Sequence, residues 1–347
     1  METVNLKILT ITPLSAGVVN GGVRTQSFQT VKYLDRPGVH IDLFNPWEPV
    51  KPDQYDIIHV FLAGNETLSI ARQLSSANTK LVISPVFYTR RGYSAIKAAI
   101  RFEKVFQPFV KGIFTDYGIK AEICQSADAI LPNTSAEANL IEEGFRISKD
   151  KIKVIPNGVN LQFKEATPDY FFQKHGIKNF VLFVGDPSAA RKNVWRLIKA
   201  FEDIDHDLVI IGSFGNDAYS RDCRELAGLN DRILLIDSVQ NNDPILASAY
   251  AAADTFVLPS LFETPGIAAL EAALAGCKIA ITRYGGTDEY FGDEAFYLDP
   301  KSIPSIAKAI QSALDSEYSN VLKKVISKKY SWKNVADMTL DVYKNLF

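Results

Sequence analysis

Glu263 and Glu271 stand around a helix start within residues 258–276 and carry the most suggestive chemistry in the chain. The stretch LPSLFETPGIAALEAALAG passes from an apolar run through a Pro-Ser turn and a short loop into a helix. Ile267, Leu270 and Leu274 recur at helical spacing and are expected to face a core. Pro265 suits the first helical position, and Gly276 suits the left-handed residue past the helix end. Glu263 then sits just before the helix and Glu271 about two turns into it. Free N–H groups at such a helix start attract phosphate, and carboxylates nearby can grip sugar hydroxyls. The same two acids also fit an N-terminal charge and a solvated helix side, and the local sequence leaves both readings open.

Other residues could also do chemistry. Arg191 and Lys192 follow the run FVLFVG at the mouth of the next helix. A guanidinium forks on phosphate oxygens and an ammonium adds a point charge, so the pair suits a diphosphate; a solvated charge pair fits equally. Gly21 and Gly22 stand before a helix after the first strand, without the spaced G-x-G-x-x-G of a dinucleotide site. They either let backbone approach an anion or make a tight turn. His59, near the end of a strand, could face a cleft or act as a structural hydrogen-bonding group. Asp203 and Asp205 form a D-x-D, but one that leads into a strand within a charged turn, and it receives little weight.

These residues need a frame. At 347 residues the chain exceeds what one core usually serves, so two domains are expected. Strands at residues 6–11 (LKILTI), 39–44 (VHIDLF), 55–61 (YDIIHVF), 80–85 (KLVISP) and 128–132 (DAILP) alternate with helical segments. A second alternation runs through FVLFVG, DLVIIG, RILLID, TFVLPS, KIAIT and AFYLD. Each series predicts a parallel sheet with ligands at the strand C-terminal ends. The Pro-, Asn- and Gly-containing run IKVIPNGVN, residues 152–160, suits the connection between them, and a cleft between two such sheets is a natural ligand site.

Composition excludes some classes. A net charge of −2 gives no global electrostatic case for nucleic acid. Cys124, Cys223 and Cys277 have no metal-like spacing and read as buried or inert thiols in a reducing compartment. The first residues, METVNLKILTITPL, read as a strand rather than a signal peptide, and no apolar stretch is long enough to span a bilayer. The expected location is cytoplasmic, including the inner face of a membrane. Residues 90–111 differ in character. Arg90, Arg91, Lys97, Arg101, Lys104 and Lys111 alternate with Ile96, Ile100, Phe102, Val105, Phe106 and Phe109, and Glu103 is the sole acid. Such a basic amphipathic helix suits an anionic membrane surface or ligand, or a core-packed helix with a solvated basic side interrupted at Pro108.

In order and spacing, these residues resemble glycosyltransferase family 4, a retaining group with the GT-B architecture of two Rossmann-like domains. The resemblance rests on Gly21-Gly22, SADAILPNTSAEANLI, VIPNGVN, VLFVG with RKN, PSLFETPGIAALEAALAGC, GGTDE and the closing YSWKNVADMTLDVYKNLF. It implies an acceptor-side domain at 1–158, completed by a closing helix near 331–347 that crosses back to it, and a donor-binding domain at 159–330. It implies sugar transfer from a UDP- or GDP-linked nucleotide-diphospho-sugar to an acceptor hydroxyl, on a glycan or lipid-linked molecule, with no cofactor and no required metal. Arg191 and Lys192 would neutralise the diphosphate, with Gly21 and Gly22 approaching it. Glu271 would hold the ribose, while Glu263, Thr264, Gly266 and Ile267 would meet the transferred sugar and phosphate. Three departures stand out: Thr264-Pro265-Gly266-Ile267 replaces the usual Gly-Phe-Gly-Leu, Asp186 stands where a cation is common, and Ser84-Pro85 stands where many members carry a His. Phe87, Tyr88 or His59 would then line the acceptor pocket. A non-catalytic nucleotide-sugar or glycan-binding paralogue is the alternative.

Overall fold

The computed structural model describes residues 5–18, 21–74, 79–107, 109 and 114–347. The chain divides into two compact units, Met1–Gly158 with Trp332–Phe347, and Val159–Ser331.

The first unit holds β1 (Leu6–Ile11), β2 (Val39–Leu43), β3 (Ile57–Phe61), β4 (Lys80–Ser84) and β5 (Ala129–Ile130). They form a five-stranded parallel sheet in the order β2-β1-β3-β4-β5. Both faces are covered by helices, which is why the strands read as nearly continuous apolar runs rather than alternating ones; β3 is buried along its whole length. The chain moves from β1 outward to β2 and then returns past β1 to β3. The switch point therefore lies between β1 and β3, and the helix Gly22–Leu34 that follows β1 opens beside it.

The second unit holds β6 (Phe180–Val184), β7 (Leu208–Ile211), β8 (Ile233–Ile236), β9 (Ala253–Leu258), β10 (Lys278–Thr282) and β11 (Ala295–Leu298). Its six parallel strands run β11-β10-β9-β6-β7-β8. Here the switch point falls between β6 and β9. Arg191-Lys192 leave the sheet after β6 and Glu263 leaves it after β9, so topology alone brings these two loops side by side.

Helices Asp116–Ser126, Asp169–His175 and Ala218–Ala227 were not legible in the sequence. The first is a case in point. It buries Ile119, Ala121, Ile123 and Cys124, which do not make a single stripe, and its start is set by the Thr115 side chain accepting from the Gly118 N–H.

The closing helix Trp332–Lys344 belongs to the first unit, with Trp332 and Tyr343 fully buried. The Tyr343 hydroxyl lies 2.6 Å from His59 Nδ1, and the Ser84 hydroxyl lies 2.9 Å from Nε2. The imidazole stacks on Phe61 and is 1% exposed. Burial lowers its pKa to about 3, so it is neutral at any ordinary pH. His59 is thus an interior hydrogen-bonding group that fastens the closing helix to β3 and β4, and the acceptor-lining role expected for it is corrected.

An unfolded histidine titrates near 6.5, so between that pH and about 3 the unfolded chain binds more protons than the folded one. The sign is that stability falls as pH drops through this window. Urea unfolding of the first unit should lose about 2 kcal/mol more between pH 7 and pH 5 in the wild type than in His59→Gln. Equal losses would contradict a neutral buried His59.

Candidate functional site

The loop after β6 is built to hold two cations in place. Asp186 turns its carboxylate back on its own loop, accepting from the Ser188 N–H at 3.0 Å and the Ser188 hydroxyl at 2.5 Å. The acid at a position where the resemblance leads one to expect a cation is therefore engaged locally. Arg191 and Lys192 sit on a short turn, Ala190–Lys192. Asn193 follows in the left-handed region at φ 63°, which Asn tolerates better than most residues. Its buried amide donates to the Pro259 carbonyl at 3.0 Å and the Pro300 carbonyl at 2.7 Å. The Leu261 N–H donates to the Arg191 carbonyl at 2.8 Å. The loops after β6 and β9 are thus stapled by backbone as well as side chain. Sequence reasoning missed Asn193 as a site-building residue; its signal is an Asn between a basic pair and a helix.

The staple brings charge together. Lys192 Nζ lies 2.6 Å from Glu263 Oε1, and the Arg191 guanidinium lies 3.6 Å from the same oxygen. The Glu263 side chain is only 7% exposed, whereas Arg191 is half exposed and lies over the Phe262 ring. Burial alone would raise the Glu263 pKa, but the Lys192 and Arg191 charges, with the Lys192 hydrogen bond, outweigh it and hold the carboxyl below its usual range. The Glu263 backbone is gripped as tightly. Its N–H donates to the Tyr284 carbonyl at 2.9 Å, and a Cβ on Gly285 (φ 109°) would lie 1.9 Å from the Glu263 carbonyl oxygen. The first part of the GGTDE run is therefore a glycine demanded by close backbone approach.

The helix after Glu263 spans Ile267–Ala275, and Gly276 closes it at φ 109°. The expectation that Pro265 opens it is corrected. Gly266 is the N-cap at φ 88°, a conformation that cannot continue a helix, so Pro265 lies outside. Leu270 and Leu274 are fully buried as read from their spacing, while Ile267 remains partly exposed at the helix mouth with Thr264 and Gly266. The first N–H groups of the helix have no carbonyl one turn back to accept them, which leaves that mouth suited to an anion.

Glu271 is not a solvated side of this helix. It is 4% exposed, and its two oxygens are held separately: Asn241 Nδ2 donates to Oε1 at 2.7 Å, and the Tyr250 hydroxyl donates to Oε2 at 2.9 Å. Burial pushes its pKa up to about 7, with the Asn241 and Tyr250 hydrogen bonds pulling the other way.

In the first unit, Gly21 is the N-cap of Gly22–Leu34 in an extended conformation, φ −166°, that any residue adopts. A Cβ on Gly21 or Gly22 would meet nothing within 4 Å, so internal packing does not require glycine at either position. Phe87 is 3% exposed, stacked on Phe145 at 5.1 Å and edge-on to Tyr117, and its N–H donates to Glu137 at 2.6 Å. It is a core residue, which corrects its expected place in a pocket wall. Tyr88 beside it is half-buried.

The basic segment contains the helix Tyr93–Phe106, while Pro108 and Lys111 lie outside the described residues. Ile96 and Glu103 point inward. Glu103 accepts from the Thr115 N–H at 2.7 Å, the Thr115 hydroxyl at 2.6 Å and Gln107 at 3.0 Å. With the lone acid withdrawn, the outer surface carries Arg90, Arg91, Arg101 and Lys104 together with Phe102 (54% exposed), Val105 (53%), Phe106 (40%) and Phe109 (83%). Elsewhere, all three cysteines are buried free thiols, and among the described residues no helix is long and apolar enough to cross a membrane.

Comparison with known proteins matches both units. A family model described as Glycosyltransferase Family 4 covers residues 15–163, and one described as Glycosyl transferases group 1 covers residues 169–332. Over 221 residues the chain is 33% identical to an uncharacterized glycosyltransferase of Methanocaldococcus jannaschii, covering 58% of this chain and 55% of that protein. It is 28% identical over 242 residues to D-inositol 3-phosphate glycosyltransferase of Paenarthrobacter aurescens, covering 64% and 58%. With a component of the phosphatidylinositol N-acetylglucosaminyltransferase of Homo sapiens it shares 23% identity over 245 residues, covering 67% and 49%. The chain spans about half the length of these curated relatives. Among solved structures, sucrose-phosphate synthase from Thermosynechococcus elongatus superposes with a TM-score of 0.76 at 19% identity, covering 99% of both chains. HepE of Anabaena, in complex with UDP and glucose, gives 0.71 at 17% identity, covering 98% of this chain and 100% of that one. The two parallel-sheet α/β domains are those of the GT-B fold, and the chain belongs to the family-4, group 1 type of glycosyltransferases.

Proposed function

We propose that this protein transfers a sugar from a UDP- or GDP-linked nucleotide-diphospho-sugar to an acceptor hydroxyl, with retention of anomeric configuration and without a metal or cofactor. The observation that carries this reading is the Lys192–Glu263–Arg191 cluster at a sheet switch point, with Glu271 on the helix that follows Glu263. Structures of the fold relative HepE hold UDP or UDP-glucose, which supports a nucleotide-sugar donor.

Cleaving a sugar–phosphate bond builds negative charge on the departing diphosphate, and preorganised cations and N–H groups stabilise it. Arg191 and Lys192 supply the cations, and the N–H groups of Gly266 and Ile267 add donors at the helix mouth beside Thr264. Gly21 and Gly22, at the start of their own helix, bring backbone N–H groups without side-chain bulk. Glu263, kept ionised by its neighbours, accepts from hydroxyls of the transferred sugar and opposes the oxocarbenium-like charge that develops on it. Glu271 accepts from the ribose. The leaving phosphate takes the acceptor proton on the same face, so no separate base is called for and configuration is retained.

The acceptor is proposed to be a glycan or lipid-linked molecule in surface polysaccharide or glycan synthesis, used at the inner face of a membrane. The outer surface of the helix Tyr93–Phe106 supports this, because it joins cations to aromatic side chains, the combination that binds anionic lipid headgroups and buries rings at their boundary. One relative is named for phosphatidylinositol, which fits a lipid acceptor.

Donor hydrolysis or transfer should fall by at least about a hundredfold in Lys192→Ala and in Glu263→Ala, since each removes a charged group placed for the transition state. Full activity in both would overturn the reading, and nucleotide-sugar binding by calorimetry without turnover on a broad acceptor panel would favour the non-catalytic paralogue. Because burial raises the Glu271 pKa to about 7, and the ionised carboxylate accepts hydroxyls more strongly than the protonated acid, nucleotide affinity should rise as pH increases through that value and should be flat in Glu271→Gln. Replacing Arg90, Arg91, Lys97, Arg101 and Lys104 together should weaken binding to anionic vesicles by more than about tenfold, given roughly 1 kcal/mol per cation near a charged surface. Unchanged vesicle binding would make this stretch a solvated face.

A further inference from the structure

We propose that Tyr250 and Asn241 are positioning residues that fix the orientation of the Glu271 carboxylate, each through a different oxygen, so that it meets the paired hydroxyls of a ribose. The proposal rests on the nucleotide-sugar reading and deepens it. A carboxylate offers about four lone-pair sites, and a vicinal diol supplies two donors. In this protein two of those sites are occupied, by the Asn241 amide at 2.7 Å and the Tyr250 hydroxyl at 2.9 Å, and each occupies a different oxygen. The remaining capacity equals what a diol needs.

The chemistry of the two partners matters. Both donate hydrogen bonds and neither is a cation, so Glu271 is oriented without being neutralised. Glu263 offers the contrast, since Lys192 and Arg191 crowd its Oε1 with positive charge. A lysine or arginine beside Glu271 would compete with hydroxyl donors for the same lone pairs.

The two partners are also mounted differently. Tyr250, on the helix Pro244–Ala252, is fully buried; Phe163 lies edge-on to its ring at 5.6 Å, Phe256 packs at 5.9 Å, and its carbonyl accepts from the Cys277 thiol at 3.0 Å. Its hydroxyl is a fixed point. Asn241 sits on the exposed loop between β8 and that helix, where its carbonyl accepts from Gln162 at 3.4 Å. Selection of ribose over 2′-deoxyribose follows from this arrangement, because a carboxylate held in one orientation loses a bond when one hydroxyl is missing.

Calorimetry with UDP, GDP and their 2′-deoxy forms tests the idea in the full chain. The wild type should bind the better ribonucleotide about tenfold more tightly than its 2′-deoxy form, as for one lost hydrogen bond to a charged group. Tyr250→Phe and Asn241→Ala should each weaken the ribonucleotide and leave the 2′-deoxy form nearly unchanged, shrinking the ratio toward that of Glu271→Gln. A wild-type ratio in both variants, beside a collapsed ratio in Glu271→Gln, would overturn the positioning roles and leave the nucleotide-sugar reading intact. Equal weakening of both nucleotides would likewise reduce Tyr250 to a packing residue. Absence of nucleotide binding in the wild type would remove both. Should Tyr250→Phe fail to fold, Asn241→Ala on its exposed loop carries the test alone.

Discussion

A carboxylate withdrawn from water must find positive charge or give up its own, and Glu263 illustrates how much structure that requirement recruits. Lys192 meets it at 2.6 Å with Arg191 close by. Neither contact would hold if the two loops could drift. Asn193 ties the cation-bearing loop to Pro259 and Pro300, the Arg191 carbonyl accepts from Leu261, and Gly285 lets a third loop press against the Glu263 backbone. Removing one partner of such a buried pair is costly because the other charge remains desolvated. The surrounding hydrogen bonds are thus conditions for the pair, rather than additions to it.

The two glutamates show the same residue type tuned in opposite directions within one short segment. Glu263 is held ionised by cations, whereas burial raises Glu271, which has only neutral donors to oppose it, to about 7. Environment, not identity, sets their chemistry. In the reaction proposed above, one would accompany the charge that develops and the other would recognise neutral hydroxyls. Both depend on Gly266, whose left-handed backbone turns the chain from the Glu263 loop into the helix that bears Glu271.

In the first unit the decisive placements are inward ones. Glu103 folds its charge beneath the helix Tyr93–Phe106, against Thr115, which in turn caps the next helix. The outer surface that remains is both cationic and aromatic. His59 likewise spends both ring nitrogens on Tyr343 and Ser84, which binds the closing helix to the sheet.

The strands, their parallel order in two series and the residues at their C-terminal ends were legible because buried parallel strands are continuous apolar runs and their loops carry unusual residue types. Arg191, Lys192, Glu263 and Glu271 stood out from types and spacing alone. Sequence could not say whether Glu271 faced water or core, because a helix of small apolar residues has no polar side to compare. Nor could it separate His59 from a pocket residue, since a strand buried on both faces offers no alternation to read, or Phe87, which lies in the loop past β4 where no periodicity applies. Asn193, Gly285, Asn241 and Tyr250 escaped for a different reason. Each matters through a partner far along the chain, and only tertiary packing brings such partners within hydrogen-bonding distance.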